Sequence, residues 1–186
     1  MKTNSRASRF LIALLVLASV GSLLLLSSCS KDNDEIPNVL VIDGTSYPLS
    51  KGFITGYGVE EDENNNRGSV YEVLLSSSGI NYSDGDFSGS GQVLYLVLFS
   101  RSTIELESGT YDVSDAFLEG KVIESLVFNG NITTSSGTLY FITGGRLTLS
   151  KSGNTWTFRF DFNGRTDSGA NVTITGSYSG TLQEIE

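Results

Sequence analysis

An all-β domain behind an export signal is the fold class this sequence predicts, and three observations predict it. In the last third of the chain, apolar residues recur with a period of two rather than 3.6. Gly, Asn, Asp and Ser cluster at the spacing expected between short strands, about eight to twelve residues. Beyond Cys29 no long stretch keeps a helical period. Together these features point to an antiparallel β-sandwich, with a lipocalin-like up-and-down barrel as the alternative.

The clearest element is the run 155–162. Trp156, Phe158, Phe160 and Phe162 alternate with Thr155, Thr157, Arg159 and Asp161. Successive side chains of a strand point to opposite faces, so this is a half-buried strand with one aromatic face. It assigns Trp156 to the core rather than to a sugar-stacking surface. Leu147 and Leu149 alternate in the same way before a Ser152-Gly153-Asn154 turn. After it, Val172 and Ile174 lead on to Tyr178 and Leu182. Asn163-Gly164 is the expected start of a loop that runs through Gly169.

Earlier elements are shorter. Residues 39–42, Asp43-Gly44 and residues 45–49 make an opening hairpin, with Pro48 at an edge or a strand end. Residues 52–59 carry Phe53, Tyr57 and Val59 among glycines, a strand with a bend. Residues 60–67 hold four acids and three Asn and are expected as a solvated turn. They lack the alternating ligands and the turning Gly of a calcium loop. Residues 70–75 form a strand. Residues 76–91 are expected as a long Ser/Gly loop. It contains the candidate ligand-binding residues Tyr82, Asp84, Asp86 and Phe87, because long loops without structure of their own are usually functional. Residues 92–100 are almost wholly apolar, a strand covered on both faces.

Residues 104–113 give a turn and a short strand. Residues 114–120 are the one expected helical turn, capped by Ser114 and stopped by Gly120. Residues 122–128 form a strand, followed by an Asn129-Gly130 turn. Ile132 opens another strand, and Leu139, Phe141 and Ile142 belong to one more.

The N-terminal segment has the three parts of a secretory signal. Lys2, Arg6 and Arg9 precede an uncharged apolar run, residues 10–26. Ser27 and Ser28 then stand just before Cys29. Leu26-Ser27-Ser28-Cys29 resembles the lipobox of bacterial lipoproteins. That resemblance implies cleavage after residue 28 and a diacylglyceryl group on the Cys29 thiol. Two acyl chains suffice for stable anchoring without a spanning helix. Residues 29–38 then serve as lipidated Cys and tether, and residues 39–186 form a single β domain.

Lys31 to Glu35 is similar to the lysine-plus-acid export signal of Bacteroidota lipoproteins. It implies the outer membrane, facing the cell surface, with the periplasmic face as the alternative. The stretch from Gly145 to Trp156, the later Gly176 to Leu182 and the Ser108-Gly109-Thr110-Tyr111 turn resemble an uncharacterised all-β family of the same lipoproteins. That group has no agreed activity, so no functional residue carries over.

Composition narrows the chemistry. The 186 residues suit one domain. The net charge is −9, and removing the basic signal makes the mature chain more acidic still. An acidic chain repels nucleic acid, which needs a basic face. There is no His, which removes the usual general base and the commonest metal ligand. The one Cys is the lipid site, which leaves no thiol nucleophile and no disulfide. No catalytic residue, metal or cofactor is assigned.

The expected function is a non-enzymatic binding or interaction module for a glycan or another envelope protein, held to the membrane through Cys29. The alternatives are a structural or inhibitory envelope protein and a carboxylate-dependent glycoside hydrolase. For the hydrolase, the isolated Glu72 and Glu124 read as outward faces of strands.

Overall fold

Tight turns cut the chain into strands, and the first of them sets the pattern. The computed structural model describes residues 37–186. The expected signal at 1–28, the expected lipid site Cys29 and the expected tether up to residue 36 lie outside the described residues. Asp43 and Gly44 take φ values of 47° and 79°, the two left-handed positions that a type I′ hairpin turn requires. They join β1 (Val39–Ile42) to β2 (Thr45–Pro48). Then follow β3 (Lys51–Glu61), β4 (Arg67–Ser76), β5 (Ile80–Ser83), β6 (Asp86–Ser100) and β7 (Gly109–Val113). The rest are β8 (Lys121–Asn131), β9 (Ser136–Ser152), β10 (Thr155–Thr166), β11 (Asn171–Gly180) and β12 (Gln183–Glu184).

The described residues are all-β, as expected. The strands form one hydrogen-bonded path, β12-β3-β4-β6-β8-β7-β9-β10-β11-β1-β2, with β5 paired to the start of β6. The sheet is strongly curled. It is mixed rather than purely antiparallel, because two short pairings, β7–β8 and β12–β3, run parallel. The cause of the first is the length of β9, 17 residues. Its first part pairs with β8 (Phe141 opposite Leu126) and its later part with β7 (Leu147 opposite Tyr111). β7 is wedged where β8 and β9 splay apart. Pro48 lies in β2, at the sheet edge where a missing N–H costs nothing.

The main core fills the concave face. From β10, Trp156, Phe158, Phe160 and Phe162 are buried while Thr155, Arg159 and Asp161 are exposed. Trp156 is a core residue, with the Lys151 ammonium 4.6 Å from its ring centre. From β4 and β6, Val73, Leu75, Leu94, Leu96 and Leu98 join the same core. Tyr111 is fully buried there. Its hydroxyl donates to the Glu107 carbonyl at 2.7 Å, which satisfies the polar atom that burial would otherwise strand.

Five sequence expectations change. The stretch 76–91 is not an open loop but the β5–β6 hairpin, closed by Asp84-Gly85 at φ 55° and 89°. Ile80 is fully buried and anchors it. The stretch 114–120 forms no helical turn. Its ends are spent on the sheet instead, Ser114 N–H donating to Val122 O and Gly120 N–H to Phe99 O. Asn129-Gly130 is not a turn but lies inside β8. Gly130 sits opposite Gly137 with the Phe128 ring over both, a ring filling the space two missing side chains leave. The chain reverses at 132–135 instead, so the separate strands expected from Ile132 onward are the single β9. Finally, Asn163-Gly164 marks a register shift inside β10, which continues to Thr166 before turning.

The acidic turn at 62–66 is also more than a solvated loop. Asp62 is buried, and its carboxylate accepts from the Asn64 and Asn66 N–H groups at 2.8 Å each, the Asn66 amide at 3.1 Å and Glu119 N–H at 3.3 Å. Burial alone would raise its pKa. The donated bonds outweigh that and hold the carboxyl below its ordinary range. Asp62 thereby ties the β3–β4 turn to the segment that covers Phe99, whose ring packs 4.7 Å from Phe117.

Candidate functional site

The convex face of β3 and β4, turned away from the main core, carries a groove of about 240 Å³. Register builds its floor. Phe53 stands opposite Leu74 and Thr55 opposite Glu72, so two adjacent rows present one ring, one aliphatic group, one hydroxyl and one carboxylate. A β-bulge then adds Tyr57. Gly56 pairs with Tyr71 and Gly58 with Val70, which leaves Tyr57 as the extra residue between them. Gly58 takes φ 91°, a backbone conformation that glycine adopts without steric cost. Bulges re-aim side chains, and this one leaves Tyr57 60% exposed with its hydroxyl donating to the Glu72 carboxylate.

The β5–β6 hairpin forms one wall. Tyr82 and Phe87 are paired across it, with ring centres 4.9 Å apart. Phe87 meets Phe53 edge-on at 5.2 Å, and Tyr82 lies 6.1 Å from Phe53. Such contacts add about 0.5–1.5 kcal/mol per pair beyond area burial. Lys51 pins the hairpin to β3, its ammonium donating to Ile80 O at 2.6 Å and to Asn81 Oδ1 at 2.9 Å. The opposite wall is the segment after β12. Ile185 N–H donates to Ile54 O at 3.0 Å, and Tyr82 Oη donates to Glu186 O at 3.0 Å.

The electrostatics centre on Glu72. The Tyr57 phenol is held above its ordinary pKa, first by its hydrogen bond to Glu72 and then by burial. Tyr95 stands beside Leu74 on β6. Its phenol is also raised above its ordinary pKa, by burial first and then by the neighbouring carboxylates of Glu72 and Glu124. The neutral Tyr57 hydroxyl therefore holds the carboxylate in place. Among the residues lining the groove, two are acids, Glu72 and Glu186, and none is Lys or Arg.

Of the ligand-binding residues expected from sequence, the structure brings Tyr82 and Phe87 to the groove wall. Asp84 and Asp86 fall outside it, because they form the exposed hairpin tip. Asp84 accepts a hydrogen bond from Ser83 Oγ at 2.9 Å and serves the turn. Among the described residues no group of three carboxylates or other metal ligands is placed to hold a metal ion. Sequence reasoning missed Phe53, Tyr57 and Glu72 as members of the groove. Two signals were present: a lone acid inside an apolar strand, and a Tyr between two glycines. Comparison with protein-family models, with curated proteins and with solved structures finds no match to this chain.

Proposed function

We propose that this chain is a lipid-anchored envelope lipoprotein of the Bacteroidota type, facing the cell surface, whose β domain is a non-enzymatic binding module for a glycan. One observation carries the binding reading. Tyr82 and Phe87, backed by the buried Phe53, form an aromatic wall beside hydrogen-bonding groups on Tyr57 and Glu72. Aromatic faces stack on the C–H faces of sugar rings, and a few convergent polar groups then fix orientation. The lipobox-like Leu26-Ser27-Ser28-Cys29 supports the anchor.

A protein partner is the second reading, favoured by a specific row of side chains. Leu74, Tyr95, Leu126 and Phe141 stand side by side across β4, β6, β8 and β9 on the convex face. None of the four is fully buried, and Phe141 is 45% exposed.

A glycan panel screened with the purified protein and with Tyr82→Ala, beside crosslinking in intact cells, tests the two readings together. The glycan reading expects binding that Tyr82→Ala abolishes while the fold is kept. Crosslinks to one envelope protein through the Leu126 and Phe141 region, with no glycan retained, would transfer the function to the second reading. For the anchor, Cys29→Ala should abolish palmitate labelling and membrane partitioning; persistent labelling would refute it.

A further inference from the structure

The groove has a sign of charge as well as a shape. Four aromatic residues, Phe53, Tyr57, Tyr82 and Phe87, line it together with the acidic residues Glu72 and Glu186, and no Lys or Arg lines it. The nearest ammonium on the same strand, Lys51, is already held by Ile80 O and Asn81 at the far side of the hairpin. Beyond the groove, Glu124 adds a third carboxylate on the same convex face, in the row that runs Thr55-Glu72-Val97-Glu124. The chain as a whole carries −9. Aromatic faces attract a cation through their quadrupole, and a nearby carboxylate adds charge of the complementary sign.

We infer that the groove selects a glycan unit bearing a protonated amine, an amino sugar whose nitrogen is free rather than acylated. The pyranose ring would lie against Phe87 and Tyr82, and its ammonium would face Glu72 and Glu186. This rests on the glycan-binding reading above and specifies its ligand. The fit follows from size as well as charge. About 240 Å³ lies below the range of roughly 300–1,000 Å³ that holds a drug-sized ligand, so the groove suits one ring of a chain rather than a folded partner. The carboxylate that would meet the amine is fixed in advance. Tyr57 Oη donates to the Glu72 carboxylate, which lowers the ordering cost of binding.

The test compares ligands that differ only in charge. The full-length protein is titrated at about pH 5.5, where an amino-sugar nitrogen is protonated and an ordinary Glu carboxylate is ionised, with a glucosamine tetramer, its N-acetylated counterpart, a galacturonic acid tetramer and tetralysine. The glucosamine tetramer should bind about tenfold or more tighter than the N-acetylated one, with no measurable affinity for the uronic acid. Raising the salt concentration should narrow that gap. Glu72→Gln and, separately, Glu186→Gln on the exposed rim should reduce the preference without removing the weaker neutral binding. Equal or tighter binding of the neutral tetramer overturns the charge inference and leaves the glycan reading intact. Binding of tetralysine alone, lost in Glu72→Gln, overturns it in favour of a basic peptide. Failure of every saccharide overturns the glycan reading itself. Because the ligand comparison needs no variant, loss of folding in either mutant leaves it decisive.

Discussion

Two halves of the same sheet bury their strands in different ways. Along the β9–β10–β11 meander one face is dry and the other mostly wet, the outward Ser177 beside Pro37 being the buried exception. β10 shows it residue by residue, with Phe158 fully buried and its neighbour Arg159 exposed. In β4 and β6 the convex face is also covered, but only at its two ends. The β5–β6 hairpin and the segment after β12 cover Phe53 at one end. The 101–120 segment covers Phe99 at the other, through Phe117. Between the covers lies the groove and the open row from Leu74 to Phe141. A sheet with one covered face offers only a core. Partial covering of the second face leaves a recess with walls, and walls are what a binding site needs.

The contrast can be broken at adjacent positions. In β10, Phe158→Ala should cost about 3–5 kcal/mol, while Arg159→Ala should cost about 0.5 kcal/mol or less. Chemical denaturation of the pair measures this; similar costs at both sites would mean the meander is covered on both faces. In β6 the expectation is the reverse. Leu98→Ala on the concave face and Phe99→Ala on the convex face should both be severe, at about 3 kcal/mol or more each, because both side chains are fully buried. An alternating cost there would erase the distinction between the two halves.

A smaller effect concerns the ties that hold the cover. Asp62→Asn should destabilise the protein at neutral pH by loosening the 62–66 turn from Glu119. The Asp62 carboxyl has a folded pKa below its ordinary 3.8. Its stabilising contribution is therefore complete above that ordinary value and is lost as pH falls through the lowered folded one. Thermal unfolding from pH 7 down to pH 2 should show the gap between parent and variant closing only in acid. A gap independent of pH would mean that the carboxylate's charge plays no part.

A modest change in stability is expected at the groove wall. Tyr82→Ala removes a half-buried ring and its bond to Glu186 O, for a cost of about 1 kcal/mol. The same variant should lose glycan binding altogether. This dissociation of stability from binding, read by melting and titration on one sample, separates a site from a core. A loss of several kcal/mol would instead make Tyr82 a structural residue of the convex face.

Much of the fold was legible because its signals are local. Asp43-Gly44 dictates a left-handed two-residue turn wherever it sits between strands. The Trp156–Phe162 alternation dictates which face is buried, because strand periodicity is a property of the backbone. The continuous apolar run of β6 announced a strand covered on both faces, and the structure supplies the second cover only at the two ends, leaving Tyr95 and Val97 half-buried. What covers it was not legible. Asn129-Gly130 and Asn163-Gly164 carry the same turn chemistry as Asp43-Gly44, yet both lie inside strands. Their glycines are there because neighbouring backbone comes too close for a Cβ, and closeness between distant segments leaves no local mark.

The candidate site divides along the same line. Tyr82 and Phe87 stood out as aromatics in a polar stretch. Asp84 and Asp86 stood out equally and lie at the hairpin tip, outside the groove. Phe53, Tyr57 and Glu72 became a site through cross-strand register and one bulge, which decide what stands beside what. The sequence by itself determined the all-β class, the faces of β10 and the first hairpin, since these follow from residue-by-residue backbone preference and period. Only the tertiary structure decided the wedge of β7 between β8 and β9, the two covers on the convex face and the groove between them. Each depends on contacts between segments far apart in the chain, and their free energy appears only when the sheet has curled.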